Sequence, residues 1–206
     1  MKSVVVFLSE GFEEIEAVTP IDYLRRAGVN VVTVSVPAQT KVERRENVFS
    51  LLDPHAVLAS HGVIYIADKS FDEWKSELNG DLPDALFVPG GMPGAKNLSD
   101  FQPLNDFIKE MFAKNKLVTA ICAAPVVVLS KTGVLNGKKY TCYPDMEKMV
   151  SPSCNATHIA NVPFVSDGNL ITGRGPGAAE QFAMEIVRYL CGEEVAKRVH
   201  DSSCQR

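Results

Sequence analysis

The chain has 206 residues, 46% of them hydrophobic and 22% charged, with a formal net charge of −4. That is ordinary globular composition, enough for a sizeable core, and it gives no electrostatic reason to expect nucleic acid or an anionic membrane as a partner. No apolar run reaches the ~18–20 residues needed to span a bilayer. The five residues Val4 to Leu8 end at Ser9-Glu10-Gly11 without a signal-cleavage pattern, so they are expected to form a first buried strand of a cytoplasmic protein.

Short β-branched runs alternate with amphipathic stretches along the chain. Residues 3–8, 31–36, 84–88 and 117–121 are continuous apolar runs of strand length, as expected of a parallel sheet covered on both faces. Helices are expected over 14–27, 101–114, 124–131 and 177–190. Gly28 caps the first, and Phe101, Leu104, Phe107, Ile108, Met111 and Phe112 form the apolar stripe of the second. Residues 62–67 alternate like a strand, and 162–173 read as a hairpin turning at Asp167-Gly168. The expectation is one α/β domain over residues 1–206, a three-layer sandwich with a mostly parallel sheet and an accessory antiparallel hairpin.

Five cysteines stand at 122, 142, 154, 191 and 204, with no C-x-x-C among them. This predicts free thiols in a reducing compartment, with no thioredoxin-type pair, zinc half-site, metal or cofactor. Sites in open α/β sheets form where strands end. Cys122, between the strand at 117–121 and the next helix, is the leading candidate. Free N–H groups at the helix start would favour its thiolate, although a free cysteine is also a common buried hydrophobe. The glycines of Val88-Pro89-Gly90-Gly91-Met92-Pro93-Gly94 let a backbone N–H face a ligand, as in an oxyanion hole, or simply make a tight turn. In Ser9-Glu10-Gly11-Phe12-Glu13-Glu14-Ile15-Glu16, acidic residues suit a helix start. Ile15 and Val18 are expected to face inward, with Glu16 buried beside the strand ends and its pKa raised.

The segments EEIE, IDYLRRAG, LFVPGGMPGAKNL, LVTAICAAP and ITGRGPGAAEQFAMEIV, in this order and spacing, resemble the ThiJ/PfpI superfamily. Within it they are most similar to the branch of the parkinsonism-associated protein deglycase and its bacterial relatives. The resemblance implies a flavodoxin-like sandwich and a homodimer. It makes Cys122 an elbow nucleophile in strained backbone geometry and Glu16 a protonated carboxyl hydrogen-bonded to its sulfur. It also makes the N–H groups of Gly91 and Ala123 the oxyanion hole, with Gly90 beside the substrate.

Ala123 stands where protease-like members carry histidine, which disfavours a peptidase. Tyr143, before Pro144, occupies a frequent histidine position and could donate a hydrogen bond to a substrate oxygen. His61 aligns with a segment from which an arginine often approaches the active site across the dimer interface, and is expected near Asp22. His55, His158 and His200 have no motif context. His158 lacks the acidic partner a glutamine amidotransferase needs. With Cys122 and Glu16 as thiolate and proton carrier, the resemblance implies a cofactor-independent glyoxalase or deglycase acting on small α-oxoaldehydes or early glycation adducts of protein side chains. The alternative is a redox-sensing stress protein or chaperone whose Cys122 oxidises to sulfinic acid.

Overall fold

The computed structural model describes residues 1–40 and 53–205. The sheet begins with β1 (Ser3–Leu8), helix α1 (Glu14–Arg26) and β2 (Asn30–Ser35). A small antiparallel pair, β3 (Ala56–Leu58) and β4 (Ile64–Ile66), stands apart from the main sheet. Then come β5 (Lys69–Ser70), α2 (Phe71–Glu77), β6 (Ala85–Val88), α3 (Gly94–Asp100), α4 (Gln102–Ala113) and β7 (Leu117–Ile121). A π-helical turn at Pro125–Leu129 leads into a short α5 (Ser130–Thr132). A second small pair, β8 (Lys139–Tyr140) and β9 (Thr157–His158), brackets two 3-10 turns, Met146–Met149 and Pro152–Cys154. The chain closes with β10 (Phe164–Asp167), β11 (Leu170–Gly173), α6 (Ala179–Cys191) and α7 (Glu193–Ser202).

The main sheet has the order β10-β11-β7-β6-β1-β2-β5. Every neighbouring pair is parallel except β10 with β11. The expected hairpin therefore forms, but β11 joins the parallel sheet beside β7 and only β10 is antiparallel, at the edge. Its two-residue turn is Gly168-Asn169, with Gly168 at φ +66°, one residue later than expected. The chain winds outward from β1 through β2 to β5, then returns to lay β6, β7 and β11 on the other side. The carboxyl ends of β1 and β6 thus flank the topological switch point, where the crevice of such sheets opens.

Both faces of the sheet are covered. Phe7 of β1 meets Phe71 and Trp74 of α2 and Phe107 of α4, with ring centroids 5.2–6.0 Å apart. On the other face Phe87 of β6 packs on Phe182 of α6 at 5.5 Å, and α6 lies against α1. Gly28, at φ +80°, comes just after the cap of α1 and donates its N–H to Arg25, as its place in the sequence predicts. The buried stripe of α1 is Glu16, Ala17, Pro20, Ile21 and Leu24, whereas Ile15 and Val18 are 53% and 42% exposed. The expectation for those two is overturned: the 16/17/20/21/24 series turns Glu16, not its apolar neighbours, toward the sheet. Helices α2, α3 and α7 were not anticipated, and the expected regular helix after Cys122 is a π-helical turn. No helix among the described residues is long and apolar enough to cross a membrane.

Candidate active site

Cys122 comes directly after β7 and has φ +64°, the left-handed region that side chains with a Cβ rarely adopt. Its neighbours hold it there. The Cys122 N–H donates to the Gly173 carbonyl at 2.9 Å, and its own carbonyl accepts from the Tyr143 N–H at 2.9 Å. Such a backbone costs about 1–3 kcal/mol and persists only when both sides are pinned. The turn aims the sulfur at the β1 and β6 ends, with the residue 9% exposed.

Those two strand ends interlock without room for side chains. The Glu13 N–H donates to the Gly90 carbonyl at 3.0 Å. A Cβ on Gly90 would stand 2.6 Å from Glu16 Oε2 and 2.7 Å from the Cys122 Cβ. One on Gly91, at φ +87°, would stand 2.4 Å from the Glu13 nitrogen. The paired glycines are therefore required by close approach. They let the loop after β6 lie against both the first turn of α1 and the Cys122 elbow.

Glu16 is fully buried at this junction. Its N–H donates to the Glu13 carboxylate at 2.7 Å, which caps α1. Glu16 Oε2 accepts the Gly90 N–H at 2.9 Å, while Oε1 is buried without a nitrogen or oxygen partner. Burial raises the Glu16 pKa to about 7; contact with the Cys122 thiol and the Gly90 N–H oppose this, and the nearby Glu13 charge adds to it. At Cys122, burial and then the Glu16 charge push the thiol well above its ordinary range, while the N–H groups of Ala123 and Gly91, directed at the sulfur, pull it back.

The expectation of a thiol simply lowered by a helix start is thus corrected. The chain beyond Cys122 forms only a short π-helical turn, and burial together with the Glu16 charge outweighs it. The two groups titrate as one unit. With Glu16 ionised the thiol holds its proton tightly. With Glu16 neutral the repulsion vanishes, leaving burial opposed by the two N–H donors.

Glu16, Gly90, Gly91, Cys122 and Ala123 are therefore brought together as expected. Tyr143 is adjacent through its backbone, and its half-exposed ring lies over Gly175. It lines a cleft of about 540 Å³ with Asn161, Arg174, Pro176 and Gln181. Arg174 and the Gly175-Pro176-Gly177 loop were not singled out as site residues, although they lie within the ITGRGPG segment. His61 is not at the sulfur. Its side chain is 72% exposed, and Nδ1 lies 3.0 Å from the Glu14 carboxylate, which raises the imidazole pKa chiefly through that hydrogen bond. Within the chain Asp22 pairs with Arg26 at 2.6 Å, and Glu14 holds the loop that carries His61.

Comparison with known proteins agrees with this geometry. Residues 2–189 match the DJ-1/PfpI family. Protein dj-1beta of Drosophila melanogaster is 34% identical over 198 residues, covering 96% of this chain and 94% of that protein. Protein DJ-1 homologs B and A of Arabidopsis thaliana are 34% and 31% identical, but this chain spans only 40% and 45% of their lengths. The crystal structure of Drosophila DJ-1beta superposes with a TM-score of 0.83 at 32% identity, covering 100% of this chain and 98% of the other. That of oxidized Toxoplasma gondii DJ-1 does so at 0.82 and 32%, covering 100% and 99%. With a strained cysteine at the end of β7, a buried glutamate from α1 against it, and a family match over nearly its whole length, the chain belongs to the DJ-1/PfpI family.

Proposed function

We propose that this protein is a cofactor-independent, glutathione-independent glyoxalase or deglycase acting on small α-oxoaldehydes or on their early adducts with protein side chains. The observation that carries the reading is the contact of Cys122 with a buried Glu16 of raised pKa, both under the N–H groups of Gly91 and Ala123. One charge and one proton are shared within that group near neutral pH. The sulfur of the singly charged pair adds to the aldehyde carbon, and the developing oxyanion takes hydrogen bonds from Gly91 and Ala123. Glu16, whose Oε1 is free of other polar partners, first gives its proton to that oxyanion and then, as a carboxylate, carries the proton of the aldehyde carbon to the adjacent carbonyl carbon through an enediol. Water then releases the 2-hydroxy acid and restores the thiol. The test is lactate formation from methylglyoxal without glutathione. Cys122→Ser and Glu16→Gln should abolish it while Cys204→Ser, at an exposed cysteine, retains it. Full conversion by Cys122→Ser would refute the mechanism.

A redox-sensing role in the stress response is the second reading, favoured by the oxidized form of the Toxoplasma relative. The N–H groups at the sulfur and a protonated Glu16 are suited to hold sulfinate oxygens. Intact-mass analysis after mild peroxide should place two oxygens on Cys122 and none on Cys122→Ser. A homodimer belongs to the same proposal. Ile15 and Val18 of α1 and Val63, Ile64 and Ile66 of the β3–β4 hairpin are exposed apolar side chains. The hairpin is tied to the start of α1 by the Ser60 N–H on the Phe12 carbonyl. A shared apolar patch of this kind suits an isologous contact.

A further inference from the structure

The segment from β8 to β9 is mostly irregular, yet it gathers three side chains with metal-binding atoms. Cys142 Sγ, a Glu147 carboxylate oxygen and a His158 ring nitrogen lie within 4.8 Å of one another. Each comes from a separately fixed piece. Cys142 lies just beyond β8, Glu147 sits in the 3-10 turn Met146–Met149, and His158 ends β9, paired in register with Tyr140. Cys142 is 1% exposed, while Glu147 and His158 are partly buried.

The polar side-chain atoms of this group are little used elsewhere. Glu147 Oε2 is buried without a hydrogen-bond partner. The His158 ring packs on Tyr140 at 5.4 Å, which leaves its nitrogens without a hydrogen bond among the described residues. The Cys142 thiol donates to the Tyr143 carbonyl at a long 3.4 Å, and the Glu147 N–H is directed at its sulfur. The three line a cavity of about 170 Å³, ample for an ion and a water. Its other charged neighbours are already engaged: Asp145 with Lys148 at 2.5 Å, and Arg174 with Asn161 at 3.2 Å.

We propose that Cys142, Glu147 and His158 form a zinc site whose fourth position opens into this cavity. One thiolate, one imidazole and one carboxylate make a donor set of intermediate softness that suits Zn²⁺ over the oxygen-seeking Mg²⁺ and Ca²⁺. Bond lengths of about 2.0–2.3 Å put tetrahedral ligand atoms roughly 3.3–3.8 Å apart. Closing from 4.8 Å requires about 1 Å of movement, within reach of side-chain rotation at Glu147. Binding replaces the thiol proton by the metal and releases that proton to solvent. The cavity shares Pro144, Asn161 and Arg174 with the larger cleft, and Tyr143 is next to Cys142 in the chain. The ion would therefore fix the segment that carries Tyr143 beside Cys122. The zinc site is independent of the chemistry assigned to Cys122.

The test uses the full chain carrying Cys122→Ser, so that the elbow sulfur cannot bind metal. Zn²⁺ is titrated against a chromophoric chelator, and Co²⁺ is added in parallel. One Zn²⁺ per chain is expected, and Co²⁺ should give the intense visible bands of four-coordinate cobalt with a thiolate charge-transfer band in the near ultraviolet. Adding Cys142→Ser or His158→Gln should weaken binding by more than ~10-fold, since even outer-shell losses reach that scale. His158→Gln, at a partly buried position, keeps the test open if Cys142→Ser disturbs folding. Absence of binding, unchanged affinity in both variants, or loss of binding only in His61→Ala or Glu16→Gln would overturn the proposal.

Discussion

The buried carboxyl of Glu16 predicts a specific dependence of stability on pH. In the unfolded chain its pKa is 4.5, and in the folded protein it is about 7. A raised folded-state pKa means that the native state binds more protons between these values, so stability falls as pH rises through the window. The contribution is fully present below pH 4.5 and lost above about pH 7. The separation of about 2.5 units, at 1.36 kcal/mol per unit, gives about 3 kcal/mol. For a chain of this size that corresponds to roughly 6–12 °C in Tm. Glu16→Gln keeps an oxygen for the Gly90 N–H and removes the ionisation, so its profile should lack this decline. The assay is urea unfolding of both proteins from about pH 4.5 to 8, read as the difference between them so that other groups cancel. Parallel stability profiles for wild type and Glu16→Gln would refute the reasoning, because the carboxyl would then ionise in the folded protein as it does in the unfolded chain.

Three further outcomes rest on the same geometry. Gly90→Ala sets a Cβ 2.6 Å from Glu16 Oε2 and 2.7 Å from the Cys122 Cβ; urea unfolding should show a loss of about 1–3 kcal/mol, with a fall in methylglyoxal turnover larger than any change in KM. Cys122→Gly should be more stable than Cys122→Ala by about 1 kcal/mol, because glycine adopts φ +64° without the penalty of a Cβ; equal stabilities would show that the elbow is unstrained. Val18→Asp together with Ile66→Asp should convert the proposed dimer to a monomer in sedimentation analysis while leaving far-ultraviolet circular dichroism unchanged.

Strands β1 and β7 in the middle of the sheet were legible because they are buried and read as unbroken apolar runs: 3–8 and 117–121 match them residue for residue. Helices α2 and α7 were missed for the opposite reason. Phe71-Asp72-Glu73-Trp74 anchors α2 with only two buried side chains, and α7 buries Ala196 and Val199 among charged residues. The signal for α2 was local instead, a Ser70–Glu73 capping box. Ile15 and Val18 misled because hydrophobicity was equated with burial, and a surface patch able to meet another molecule carries the same residue types as a core. His158 was set aside for want of a motif. Cys142 is separated from it by two turns, the first of which carries Glu147; no periodicity reveals their path, and only the pairing of β8 with β9 brings the three together.

The charge state of Cys122 was the least legible feature, and the reason is physical. A cysteine between a strand and a helical turn suggests a lowered pKa through the dipole, an interaction worth ~0.3–1 kcal/mol. A carboxyl at contact distance in a buried site interacts far more strongly, and the order of the sequence does not reveal that a residue over a hundred positions earlier supplies it. The result is not a free-standing thiolate but a pair that holds its first proton to about pH 7 and its second well beyond. This favours proton-transfer chemistry. A thiolate stabilised by fixed positive charge would add to an aldehyde and leave the intermediate without a proton donor. In the proposed mechanism the Cys122–Glu16 pair adds with the same charge and retains, on the carboxyl, a proton for the new oxyanion, which leaves a carboxylate to move the carbon-bound proton. In that mechanism the two N–H groups that face the sulfur would also hold the charge once the sulfur has bonded and it has moved to the adjacent oxygen. Elbow strain, glycine packing and the buried carboxyl thus act on one quantity, the position of a single shared proton.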